Sequence, residues 1–147
     1  MLRPPHLRSG TGPREVVMDY HEFVQTVRRR GGFASNERAQ RLIGTTLETL
    51  GEVVPDAERT ALAAQLPAEL RGAFAQRPAD QSYPLDEFLS RIAAREGTTF
   101  EDARRDALIV VSVLREAMPD GIEALWARLP GEYRRLLNPG APPAPTL

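Results

Sequence analysis

From Ala103 to Met118 apolar residues cover most of a helical wheel and leave only a narrow polar stripe of Arg105, Ser112, Arg115 and Glu116. That pattern predicts a helix buried at the centre of the fold. Earlier in the chain, His21, Glu22, Phe23, Val24 and Val27 follow Met18 at helical spacing and stop at Gly31 and Gly32, a C-terminal glycine signal. Ser35 is an N-cap, with Glu37 in the first turn, for a second helix whose apolar face is Ala39, Leu42, Ile43, Leu47 and Leu50, running to about Gly51. A break at Pro55 and Asp56 restarts a short helix through Ala61, Leu62 and Leu66. Pro67 then opens a fourth segment with Leu70 and Phe74 on its apolar side. Gln76 to Pro84 reads as a linker.

After the linker the pattern starts again. Glu87, Phe88, Leu89, Ile92, Arg95 and Gly97 stand 65 residues after Glu22, Phe23, Val24, Val27, Arg30 and Gly32. Glu101, Ala103, Arg105, Val111 and Leu114 stand 64 after Glu37, Ala39, Arg41, Leu47 and Leu50, and Leu129, Pro130, Glu132 and Arg134 stand 63 after Leu66, Pro67, Glu69 and Arg71. The offset changes only at inter-helix loops, where one-residue deletions cost least. A period near 64 is too long for two-helix solenoid repeats. The expected fold is therefore all-α: a bundle of about eight helices made of two homologous four-helix halves that share one core. Residues 18–138 form this single helical domain (18–79 and 80–138), between a disordered tail at 1–17 and a disordered Pro-rich tail at 139–147.

Composition narrows the chemistry. The chain has 147 residues, 41% of them hydrophobic, enough for one core without staples. It has no Cys, so disulfides, thiolate metal sites and a cysteine nucleophile are excluded, and nothing points to an oxidising compartment. All basic residues are Arg, which removes Schiff-base and P-loop lysine chemistry. A net charge of −1 argues against a general nucleic-acid or membrane binder. The longest apolar run, Ala107 to Val111, is far short of a membrane span, and the Pro- and Gly-rich N-terminus lacks the apolar core of a secretory signal; the expected location is the cytoplasm.

Candidate chemistry is sparse. With only His6 and His21 and no Glu-x-x-His motif, the repeated acids Glu22, Glu37, Glu87 and Glu101 read as helix-start residues, and no metal or cofactor is expected. The repeated Leu-Pro-x-Glu, at Leu66 to Glu69 and Leu129 to Glu132, reads as a helix-start device. Arg28, Arg29 and Arg30 form a basic triplet suited to phosphate contacts, but the last turn of a helix favours Arg in any case. Trp126 reads as core, with an interface anchor as the alternative.

The Asp-Tyr-His-Glu-Phe-Val opening, the Leu-Ala-Ala-Gln-Leu-Pro-Ala-Glu-Leu-Arg stretch from Leu62 to Arg71 and its degenerate second copy resemble the bacterial domain-of-unknown-function family 2267, over about Met18 to Asn138. The resemblance implies an all-α fold from two related halves in a bacterial cytoplasmic protein, and it carries over no catalytic residue. The expectation is a non-enzymatic protein–protein interaction or adaptor module, since grooves between helices suit a partner helix. The alternatives are a nucleic-acid accessory protein using Arg28 to Arg30, and a small-ligand carrier with a pocket between the halves.

Overall fold

A computed structural model describes residues 18–74, 83–119, 121 and 131–133. Six α-helices are assigned among them: α1 (Tyr20–Gly31), α2 (Asn36–Val53), α3 (Asp56–Ala63), α4 (Ala68–Phe74), α5 (Leu85–Glu96) and α6 (Phe100–Ala117). The two tails, residues 76–82 of the linker and most of the predicted seventh and eighth helices, Trp126 included, lie outside the described residues, whereas Tyr83 and Pro84 at the linker's end are described.

Local chemistry sets the helix ends. Asp19 and Glu22 close a capping box on α1: the Glu22 amide donates to Asp19 Oδ1 at 2.8 Å and the Asp19 amide to Glu22 Oε1 at 3.1 Å. Ser35 Oγ accepts from the Arg38 amide at the start of α2, and Thr99 Oγ1 accepts from the Asp102 amide at the start of α6. α1 and α5 end on Gly32 and Gly97, at φ of 66° and 68°, the left-handed conformation in which a Cβ is penalised.

The buried side chains form one hydrophobic core cluster drawn from both ends of the chain, from Phe23 and Val24 to Leu114 and Tyr133. Packing is cross-paired: α1 lies on α2 and on α6, while α5 lies on α6 and on α2. α2 also meets α4, where Gly51 permits the approach. A Cβ there would sit 2.1 Å from the Phe74 carbonyl oxygen. As expected, α6 is deeply buried and carries Arg105, Ser112, Arg115 and Glu116 toward its outer side. α2, however, is more than an ordinary amphipathic helix. Ten of its residues are buried against eight of α6, because Thr46, Thr49 and Glu52 are enclosed along with its apolar face. Hydropathy does not register a buried residue that is polar.

The first Leu-Pro-x-Glu copy acts as the helix start that its spacing suggests. Leu66 is fully buried, Glu69 lies in the first turn of α4, and the Leu70 amide donates to the Pro67 carbonyl at 2.8 Å. Arg71 adds a clasp, with Nε 3.1 Å from both the Ala63 and Leu66 carbonyls at the end of α3.

Candidate functional site

The densest set of polar contacts lies between α2 and α5. Glu52, on the last turn of α2, has a side chain only 3% exposed. Three donors from the other side of the interface reach it: Arg95 Nη2 at 2.7 Å, Arg91 Nη1 at 3.1 Å and the Tyr83 hydroxyl at 2.5 Å. Arg95 Nη1 donates to Thr49 Oγ1 at 2.7 Å, and Arg91 also pairs with Glu87, four residues back on α5. The Arg91 guanidinium sits 4.2 Å from the Tyr83 ring centroid, a cation–π contact. Thr45 Oγ1 donates to Glu96 farther along the same seam. Tyr133 closes the cluster, donating from its hydroxyl to the Tyr83 carbonyl at 2.9 Å and meeting Phe88 edge-on at 5.4 Å.

Burial by itself raises the Glu52 pKa, but hydrogen bonds from Tyr83 and Arg95 and the charges of Arg95 and Arg91 outweigh it and hold the carboxyl below its ordinary range. The same enclosure, together with the adjacent Glu52 carboxylate, pushes the Tyr83 phenol well above its ordinary value. Burial likewise raises Tyr133. Asp106, on α6, contrasts with Glu52. It is buried, accepts from Arg105 Nη2 at 3.3 Å, and desolvation lifts its pKa.

A smaller pair joins α1 to α6. Arg30 Nη2 lies 2.6 Å from Glu116 Oε2 and its Nη1 donates to Ser112 Oγ at 3.1 Å. The side chains are 38% and 50% exposed. The basic triplet is thus split. Arg30 is tied to α6, Arg28 Nη2 reaches the Ala34 carbonyl at 3.5 Å, and Arg29 borders an open hollow on α1 with His21, Glu22 and Gln25.

Between α5 and α6 runs a groove of about 150 Å3. Leu85, Leu89, Phe100 and Leu108 supply its apolar lining, and Asp86, Arg104 and Glu132 its charged rim. Phe100, at 36%, is the one exposed large hydrophobic side chain among the described residues.

Glu52, Tyr83, Arg91 and Asp106 are not singled out by sequence reasoning, and Arg95 is noted only as the repeat of Arg30. A signal existed. Thr45, Thr49 and Glu52 form one polar row on α2, and Glu87, Arg91 and Arg95 form another on α5, both at helical spacing. Among the described residues no group of three His, Asp or Glu side chains is placed to hold a metal ion, and no helix is long and apolar enough to cross a membrane.

The model of a family described as an uncharacterized conserved protein (DUF2267) matches residues 20–136, from the first residue of α1 to beyond Tyr133. No curated protein matches the chain.

Proposed function

The chain belongs to DUF2267, a family of uncharacterised conserved proteins, and from that premise we propose that it is a non-enzymatic, cytoplasmic interaction or adaptor module built from two homologous helical halves.

The duplication is supported by matched elements and by reciprocal ion pairs. α1 and α5 each have 12 residues and a left-handed C-terminal glycine; α2 and α6 each have 18 and a hydroxyl N-cap. Arg95 stands 65 residues after Arg30, and Glu116 stands 64 after Glu52. Arg30 holds Glu116 and Arg95 holds Glu52, so equivalent positions join α1 to α6 and α5 to α2. Each half donates an arginine and receives one, the relation expected of two copies about an approximate two-fold axis.

The observation that carries the functional reading is the state of Glu52. A general acid or base needs a proton exchangeable near the working pH and a free path to substrate. Glu52 is instead held ionised by two arginines and a tyrosine, whose own proton is bound more tightly than usual. The cluster ties α2 to α5, which leaves the outer grooves for function. Arg30's engagement with Glu116 and Ser112 weakens the nucleic-acid alternative by taking one cation from the triplet.

The test is reciprocal purification from the native host: tagged full-length chain, in-cell crosslinking, then the tagged partner. A stoichiometric protein recovered in both directions is expected. Recovery of nucleic acid with a steep salt dependence, and no such protein, would replace this reading with the nucleic-acid one.

A further inference from the structure

The α5/α6 groove differs between the proposed halves. Leu85, Asp86 and Leu89 occupy the positions of Tyr20, His21 and Val24 on α1, and Phe100, Arg104 and Leu108 those of Asn36, Gln40 and Gly44 on α2. In the first half these α2 positions need no bulk. Asn36 and Gln40 are exposed, and a Cβ added at Gly44 would meet nothing within 4 Å. The fold is therefore satisfied by polar or absent side chains there. In the second half the same positions carry a phenylalanine left 36% exposed, an arginine and a half-buried leucine. Burying the remainder of that ring would be favourable, and folding alone does not achieve it.

The groove has room for one ring, since a volume of about 150 Å3 accepts a benzene-sized group. Its rim carries both signs of charge: Asp86 on the α5 wall, Arg104 on the α6 wall, and Glu132 beside them. Arg104 follows Phe100 by one helical turn, so ring and cation project from the same side of α6. An aromatic anchor, a flanking cation, a groove sized for the anchor and acids to meet the cation thus share one surface. Presenting both members of each contact on a single patch is the requirement for an isologous, two-fold interface.

We propose that the α5/α6 groove docks a second copy of this chain, Phe100 of each copy entering the other's groove and Arg104 facing the other's Asp86 and Glu132. The dimer is small and concentration-dependent, because one anchor and a few rim charges make a minimal interface. It does not depend on the adaptor reading: a dimer with no further partner would leave this proposal intact and remove that one.

Sedimentation velocity on the full chain, from about 1 µM to about 1 mM, tests it. The variants are Phe100→Asn and Arg104→Gln, which install the first half's residues at exposed positions. Circular dichroism is expected to match the parent for both variants and thermal melts for Arg104→Gln, whereas Phe100→Asn, which gives up the part of the ring that folding buries, melts somewhat lower but remains folded. The expected result is a reversible monomer–dimer equilibrium in the parent and a dissociation constant raised about tenfold or more in each variant. A parent that stays monomeric throughout, or a dimer that Phe100→Asn leaves unchanged, overturns the proposal.

Discussion

Two arginines 65 residues apart, Arg30 and Arg95, meet different surroundings. Arg95 serves a carboxylate that is almost fully buried, whereas Arg30 serves one that is half exposed. Solvent screening makes exposed pairs worth little, while removing one partner of a buried pair strands a charge. Arg95→Ala is therefore expected to cost about 2–4 kcal/mol, moderated because Arg91 and Tyr83 remain on Glu52, and Arg30→Ala less than about 1 kcal/mol. Denaturant titration of both variants checks this; equal losses would mean that the α2–α5 cluster contributes no more than a surface pair. The pH dependence follows from the direction of the Glu52 shift. Its folded-state pKa lies below the unfolded value, so its stabilisation is complete above the ordinary carboxylate range and is lost as pH falls through the depressed folded value. The stability gap between the parent and Glu52→Gln should accordingly be widest near neutral pH and close in acid. Melts across that range would show a constant gap if the charge on Glu52 were irrelevant. Neither Glu52 nor Asp106 is legible as buried from the sequence, because a charged residue beside an apolar stripe is ordinarily a solvated one.

Among the elements, α6 allows the sharpest comparison of its faces. Leu114 is fully buried, and Arg105 points outward with 63% of its side chain exposed. Leu114→Ala should cost roughly 2–5 kcal/mol and Arg105→Ala under about 0.5 kcal/mol, read from denaturant midpoints. Similar losses at the two positions would mean that the helix is rotated from its assigned face. The helix starts at Ser35, the stops at Gly32 and Gly97, and the apolar faces of α1, α2, α5 and α6 are all legible in the chain. Caps and glycine stops act within one turn, and periodicity within a few, so neighbouring residues suffice to specify them. The depth of α2 is not legible in this way. It depends on Gly51 admitting α4 and on α5 bringing two arginines to Glu52.

For the whole molecule, cross-pairing has a mechanical consequence. α1 rests on α6 and α5 on α2, so neither of the proposed halves can leave without exposing core residues of the other. Each half has about 60 residues, a size at which an isolated bundle is marginal. Thermal unfolding of the full chain is expected to be a single transition, with calorimetric and van't Hoff enthalpies in agreement. Residues 18–79 and 80–138 expressed separately should unfold, aggregate or self-associate. Two monomeric folded fragments that reproduce two parental transitions would show independent halves.

The sequence by itself determines an all-helical chain, the ends of its main helices, their buried stripes and the recurrence of its pattern at 63 to 65 residues, because each depends on residues within a few turns or on direct comparison of two stretches. It does not determine which helix faces which. Several dockings can bury the same apolar stripes, and the partners that distinguish them are far apart in the chain: Arg95 lies 43 residues from Glu52 and Arg30 lies 86 from Glu116. Only the tertiary packing decides that Glu52 is enclosed and ionised, that Arg30 is drawn to α6, and that Phe100 is left at the edge of a groove. Those outcomes arise from surfaces that come together when the helices dock.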